Sequence, residues 1–120
     1  MKHRNFGKEQ IKVSEVGMGC WQIGAGWGTV KEDTARDILR TALYQGITFF
    51  DTADVYGDGR SEKLVGEFFR KNRDDIFIAS KVGRTPDLYP DGYTKEKVKY
   101  RIQKSLQRLQ LEPLDLVQTH

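Results

Sequence analysis

Cysteine and histidine are scarce in this sequence. The single cysteine, Cys20, has no second cysteine with which to form a disulfide, and this is typical of proteins from a reducing compartment. We therefore expect a cytoplasmic protein in which Cys20 is a small buried side chain rather than a reactive thiol. The two histidines, His3 and His120, stand near opposite ends of the chain, so their spacing predicts no metal site.

Long apolar runs are also missing. No stretch approaches the roughly 20 residues of a membrane-spanning helix, and no apolar segment follows the basic first residues as it would in a signal peptide. The net charge of +3 is spread along the chain, and the most basic stretch, Lys95–Arg108, also has apolar residues at helical spacing. We interpret that stretch as a solvated helix face, and we expect neither a nucleic acid nor a membrane as a partner.

The sequence does contain an alternation of short β-forming runs and amphipathic stretches. The first two runs flank the turn Gly7–Glu9 and predict a hairpin that covers one end of the fold. The predicted strands are His3–Phe6, Gln10–Val13, Val16–Met18, Ile47–Phe50, Ile76–Ser80 and Leu114–Gln118. The predicted helices extend from a Thr29/Glu32 capping box to Gly46, from about Ser61 onward, and over Thr94–Leu109.

Strands that alternate with helices form a parallel sheet with right-handed crossovers, and both a doubly wound sheet and a (β/α)8 barrel fit this order. The positions of the polar residues favour one of these two folds over the other. Asp51 and Tyr56, then Lys81, then His120 follow the ends of three successive strands, and a barrel gathers its strand ends around one mouth. We therefore predict a (β/α)8 TIM barrel, of which this chain supplies the N-terminal hairpin, about the first four strands and three helices.

The side chains at these strand ends suit the reduction of a carbonyl group by hydride. An ammonium at Lys81 would stabilise the phenolate form of Tyr56 and so make proton donation easier, with Asp51 as the natural carboxylate partner of the lysine. His120 could donate a hydrogen bond to the substrate carbonyl and orient it. The hydride would come from a cofactor.

Four segments of the sequence resemble those of the aldo-keto reductase family. The first segment is Gly17–Trp21. The second, Phe50–Gly57 with Ser61–Gly66, resembles the first signature of that family. The third, Ala79–Val82, resembles its lysine strand, and the fourth, Asp115–His120, resembles its histidine strand. Together the four segments extend over essentially the whole chain.

The resemblance implies roles for individual residues. The resemblance implies that NADPH binds in an extended pose at the barrel mouth and that no metal is needed; the sequence does not decide between NADPH and NADH. The implied catalytic residues are Asp51, Tyr56, Lys81 and His120. The implied cofactor contacts are Gly19, Cys20, Trp21 and Asp51, and the implied substrate contacts are Trp21, Tyr56 and His120.

A barrel of this type needs about 250 residues. We therefore expect residues 1–120 to be the N-terminal part of a single aldo-keto reductase barrel domain, truncated at the fourth strand. Two functions stay open: an NADPH-dependent oxidoreductase that reduces aldehydes or ketones, and a non-catalytic fragment or cofactor-sensing regulatory subunit on the same scaffold. The sequence names neither the physiological carbonyl compound nor the oligomeric state.

Overall fold

The computed structural model describes residues 1–71 and 73–120 of the chain. A two-stranded hairpin comes first, and four parallel strands follow, with a helix after each of the first three. The strands are β1 (His3–Phe6), β2 (Ile11–Ser14), β3 (Gly17–Gly19), β4 (Phe49–Asp51), β5 (Phe77–Val82) and β6 (Leu116–Thr119). The helices are α1 (Glu32–Tyr44), α2 (Arg60–Phe69) and α3 (Lys95–Leu109), and a 3-10 turn spans Gln22–Gly24.

The four parallel strands stand side by side in chain order, β3-β4-β5-β6. This is the order of a barrel wall, whereas in a doubly wound sheet the strand order reverses at a switch point. In the register, Gly19 is paired with Asp51, and Lys81 is paired with Gln118. The C-terminal ends of all four strands therefore lie along one edge of the sheet.

The main core lies between the sheet and the helices. The Phe50 ring of β4 packs against the Phe69 ring of α2, with 4.5 Å between the ring centroids. Close helix packing depends on Gly66, since a Cβ there would lie 2.3 Å from the carbonyl oxygen of Leu109 in α3. Burial of these side chains holds α2 and α3 against the sheet and so fixes the strand ends relative to one another.

The hairpin covers the opposite end of the sheet from the predicted catalytic residues. Phe6 of β1 packs against Phe49 and Phe77, with ring centroids 5.8 Å and 5.3 Å apart. Phe49 and Phe77 are the first residues of β4 and β5, so the hairpin lies at the N-terminal ends of the strands. The predicted hairpin is thus present, and it leaves the C-terminal edge open.

The first helix begins later than the sequence predicts, and the predicted capping box is wrong. α1 starts at Glu32 and is not capped by Thr29; the N-cap position is Lys31, whose side chain makes no capping hydrogen bond. The cause lies just before the helix. The carbonyl of Val30 accepts a hydrogen bond from the Arg60 guanidinium, which holds this segment in a loop.

Most other element ends lie within two residues of the predicted ones; β4 and β6, for example, begin two residues later than predicted. Gly46 ends α1 as predicted, with a φ of 83° and an N–H that donates to the carbonyl of Leu43 at 2.9 Å. Strands β4 and β5 extend further than predicted, to Asp51 and Val82. As a result Asp51 and Lys81 belong to the strands themselves, where the backbone ladder holds them more firmly than a loop would.

Candidate active site

The four predicted catalytic side chains all lie at the C-terminal edge of the sheet. Asp51 is the last residue of β4, Lys81 lies one residue before the end of β5, and His120 directly follows β6. Tyr56 lies in the turns between β4 and α2. Three neighbouring strands thus bring these residues together from distant parts of the chain.

The Lys81 ammonium is the centre of this group. Its Nζ lies 2.6 Å from Asp51 Oδ2, 3.0 Å from the Thr52 carbonyl oxygen and 3.2 Å from the Tyr56 hydroxyl. An ammonium has three N–H donors, and here each has an acceptor within reach. The lysine therefore stays oriented toward the tyrosine, as the sequence predicted.

Asp51 is held from a second side by a residue that sequence reasoning missed. Gln118 of β6 donates from Nε2 to Asp51 Oδ1 at 3.2 Å, while Lys81 occupies the other carboxylate oxygen. The only sequence signal was the strand period of two, which places Gln118 two residues before His120 on the same face. The amide fixes the rotation of the carboxylate and so the direction from which it contacts Lys81.

His120 lies against Tyr56. The two rings meet edge to face, with centroids 5.8 Å apart and an interplanar angle of 88°. Burial, followed by the positive charges of Lys81 and Arg84, lowers the pKa of His120 below its ordinary value, so the imidazole is neutral at pH 7. Among the described residues its buried Nδ1 has no hydrogen-bond partner. A neutral imidazole carries one N–H group, which could donate a hydrogen bond to a substrate oxygen beside the tyrosine.

Two tryptophans lie in the segment between β3 and α1, and only Trp21 was predicted to contact the substrate. Trp21 follows β3 and is 38% exposed. Trp27, which is 75% exposed, packs edge to face against it with 4.8 Å between the ring centroids. Gly26 permits this contact, because a Cβ at that position would lie 2.5 Å from Trp21 Nε1. Trp27 had no sequence signal beyond its closeness to Trp21 along the chain.

Of the predicted cofactor contacts, Cys20 is the one whose side chain the structure keeps away from the open edge. Its thiol is fully buried, and burial raises its pKa to about 12. Its N–H donates to the Asp51 carbonyl at 2.8 Å, and its carbonyl accepts from the Ser61 hydroxyl at 2.7 Å. By contrast, Gly19 is exposed, and a Cβ there would meet nothing within 4 Å. Gly19 and Trp21 thus border open space, and Cys20 lies beneath them.

Within residues 1–71 and 73–120, no group of three or more His, Cys, Asp or Glu side chains could hold a metal ion. In the same part of the chain, no helix combines the length and the apolar character needed to cross a membrane.

The structure thus combines parallel strands in barrel order with a lysine that contacts a carboxylate and a tyrosine at their C-terminal edge. Residues 15–120 match the model of the Aldo/keto reductase family. The chain belongs to this family.

The chain is similar to several curated proteins. It is 36% identical over 124 residues to the uncharacterized oxidoreductase YqkF of Bacillus subtilis (strain 168), covering 100% of this chain and 39% of that protein. It is 38% identical over 122 residues to L-galactose dehydrogenase of Arabidopsis thaliana, covering 98% and 37%. A third relative, 32% identical over 124 residues with coverages of 100% and 37%, is a probable voltage-gated potassium channel subunit beta from Arabidopsis thaliana.

Solved structures of aldo-keto reductases are also similar to this chain. The holo form of aldo-keto reductase AKR11C1 from Bacillus halodurans superposes with a TM-score of 0.85 at 36% identity, covering 100% of this chain and 40% of that one. An aldo-keto reductase from Klebsiella pneumoniae in complex with NADPH gives a TM-score of 0.81 at 33% identity, with coverages of 99% and 39%. The predicted fold, the N-terminal part of a (β/α)8 barrel, is confirmed. The chain spans about two fifths of the length of these proteins.

Proposed function

We propose that this chain carries the catalytic residues of an NADPH-dependent reductase that converts aldehydes or ketones to alcohols. Its membership of the aldo/keto reductase family supports the oxidoreductase class. The observation that carries the proposal is the position of the Lys81 ammonium, 2.6 Å from the Asp51 carboxylate and 3.2 Å from the Tyr56 hydroxyl. This contact gives a tyrosine the surroundings that a proton donor needs.

Tyr56 is the general acid in this proposal. As a hydride arrives at the carbonyl carbon, the carbonyl oxygen gains negative charge and takes the proton from the Tyr56 hydroxyl. The phenolate that remains is stabilised by the Lys81 ammonium, which Asp51 and the Thr52 carbonyl hold in place. The products are an alcohol and an oxidised cofactor, and the tyrosine regains its proton from solvent.

His120 and Trp21 position the substrate. The neutral His120 imidazole lies edge to face with the Tyr56 ring, so a carbonyl oxygen placed beside the Tyr56 hydroxyl is also within the range of a histidine N–H. Two donors on one oxygen fix the direction of the carbonyl group. Trp21, which borders the open edge, supplies an apolar wall for the rest of the substrate.

A nicotinamide cofactor supplies the hydride when it is bound. The described residues fit its nicotinamide end: Gly19 offers open space where a side chain would stand, next to the Asp51 end of β4. We assign the contacts to Gly19, Trp21 and Asp51, and we leave out the buried Cys20 side chain. NADPH is preferred over NADH in this proposal because a structural neighbour at 33% identity is in complex with NADPH.

Replacement of Tyr56 by phenylalanine tests the acid directly. In the full polypeptide in which this sequence occurs, Tyr56→Phe should lower kcat for carbonyl reduction by at least about 100-fold, the usual scale for a positioned acid. The Kd for NADPH, measured by fluorescence titration, should stay within about twofold. The matched control is Tyr44→Phe, because Tyr44 is 87% exposed at the end of α1. Wild-type turnover in Tyr56→Phe would remove this residue from the acid role.

A cofactor-sensing subunit without turnover is the second candidate. One relative at 32% identity is named as a probable potassium channel subunit beta, which favours it. The contact of Lys81 with both Asp51 and Tyr56 favours the enzyme, since binding alone needs no activated tyrosine. NADPH binding without reduction of any carbonyl compound by the wild-type protein would favour the subunit. The cytoplasmic location stays a prediction under both candidates.

A further inference from the structure

The loop of residues 21–31, which joins β3 to α1, carries both tryptophans. We refer to it as the tryptophan loop. Trp21 stands at its start, and Trp27, the more exposed of the two, stands in its middle. The rings contact each other, so a movement of the loop would move the whole aromatic surface relative to the Tyr56 hydroxyl. What fixes the loop therefore decides how much space the site offers.

Arg60 fastens this loop at two points. Its guanidinium donates from Nη1 to the Ile23 carbonyl at 2.6 Å and from Nη2 to the Val30 carbonyl. These carbonyls stand near the beginning and the end of the tryptophan loop. A guanidinium is planar and presents its N–H groups as a rigid fork, so one side chain closes the base of the loop.

Arg60 is also bound to the turn that holds the proposed acid. It is the first residue of α2, and its N–H donates to the Gly57 carbonyl at 3.1 Å. The loop and this turn touch through glycines: a Cβ on Gly24 would lie 2.8 Å from the carbonyl carbon of Tyr56, and a Cβ on Gly57 would lie 2.0 Å from the carbonyl oxygen of Gly24. Backbone thus packs directly on backbone where the tryptophan loop meets this turn.

We propose that Arg60 is a positioning residue that sets the width of the substrate entrance. It holds the tryptophan loop, with Trp27 as a second substrate-facing aromatic, at a fixed distance from Tyr56. The substrates that depend on this distance are carbonyl compounds with a large apolar or aromatic group, which would fill the space beside the two tryptophans. This inference rests on the proposed function and adds a determinant of specificity to it.

The effect of removing Arg60 follows from these contacts. Without the guanidinium, two loop carbonyls lose their charged donor, and the loop gains freedom that apolar substrate contacts must then overcome. The Arg60 guanidinium donates to neither Lys81 nor Asp51, so we expect its loss to leave the contacts of Lys81 with Asp51 and Tyr56 in place. A change in KM should therefore exceed the change in kcat.

The experiment compares Arg60→Ala with wild type in the full polypeptide in which this sequence occurs. We expect KM for an aromatic ketone or aldehyde to rise at least about tenfold, with much smaller changes in kcat and in KM for a carbonyl compound of two or three carbons. Hydrogen exchange, resolved by peptide, should be faster over residues 22–31 and unchanged over β5. Arg60→Lys, which keeps the charge but lacks the fork, should fall between wild type and Arg60→Ala.

Arg70→Ala is the control, because Arg70 is an exposed arginine at the opposite end of the same helix. Unchanged exchange over residues 22–31 in Arg60→Ala overturns the proposal, and so does faster exchange with an equal KM change for large and small substrates. If Arg60→Ala fails to fold, Arg60→Lys decides by the same two measurements. If wild-type protein reduces no carbonyl compound, the proposed function fails, and the exchange result alone supports or overturns the role of Arg60 in holding the loop.

Discussion

Burial shifts the pKa values of two ionisable side chains near the site in opposite directions. For His120 it lowers the pKa, and the positive charges of Lys81 and Arg84 act in the same sense. For Asp54, which is 5% exposed, burial raises the pKa, and the negative charge of Glu62 adds to this. Within the described residues neither carboxylate oxygen of Asp54 has a hydrogen-bond partner. Both side chains are thus stabilised in their neutral forms, one by losing a proton and the other by keeping it.

The raised pKa of Asp54 predicts a pH-dependent cost to stability. A carboxyl group whose folded pKa lies above its unfolded value binds more protons in the folded state, so stability falls as pH rises from about 4 through the folded pKa. Each unit of the difference is worth about 1.4 kcal/mol. We expect Asp54→Asn to be more stable than wild type at pH 7, with the gap closing on acidification to about pH 3.5. Urea unfolding at a series of pH values measures it.

Asp91→Asn serves as the control, because Asp91 is an exposed carboxylate in the loop after β5. Its stability should follow that of wild type at every pH. A wild-type protein that is more stable than Asp54→Asn at pH 7, and loses the advantage on acidification, would mean that Asp54 is ionised and paired.

Strand ends could be predicted from the sequence better than the side chains around them. Asp51, Lys81 and Tyr56 come together as expected, because residues at the C-terminal ends of adjacent parallel strands must share one edge. Gln118 and Trp27 were missed, since their roles depend on strand register and on the path of a loop. Local patterns contain neither kind of information.

At the level of elements, one buried carboxylate connects α2 to β5 and to α3. Glu62 accepts a hydrogen bond from the Ser80 hydroxyl of β5 at 2.6 Å and pairs with Arg108 Nε of α3 at 2.6 Å. Ser80 directly precedes Lys81, so this pair also supports the strand that carries the proposed catalytic ammonium. Glu62 is wholly buried as a result of tertiary packing, which local sequence patterns do not reveal.

Loss of Arg108 should therefore cost much more than loss of an arginine in an exposed pair. Arg108→Ala leaves the Glu62 carboxylate buried without its cation, and we expect the free energy of unfolding to fall by about 3–5 kcal/mol. Arg40→Ala removes half of the exposed Arg40–Asp37 pair on α1 and should cost less than about 1 kcal/mol. Denaturant unfolding of both variants in the full polypeptide makes the comparison. Equal losses would show that the buried pair contributes no more than the surface pair.

The whole sheet has two open sides in the part of the chain that the structure describes. β3 pairs only with β4, and β6 pairs only with β5, so each presents one unpaired edge. Next to β3, an open groove of about 510 Å³ is lined by apolar side chains that include Met18, Ile38 and Ile47. In β6, Val117 is 37% exposed. The solved aldo-keto reductases that this chain matches are about two and a half times as long, and a closed barrel has no such edges.

These edges predict the behaviour of residues 1–120 produced on their own. Unpaired strand edges attract further strands, and if a few hundred Å² of apolar surface stays exposed at about 25 cal/mol per Å², the cost is on the order of 10 kcal/mol, comparable to the stability of a whole domain. We expect this 120-residue chain to self-associate or to fold poorly, and to show no NADPH-dependent carbonyl reduction. Size-exclusion chromatography with light scattering and a reductase assay measure both. A charge on the edge, as in Val117→Lys, should lower the association, whereas a monodisperse and active monomer of the unmodified chain would contradict the prediction.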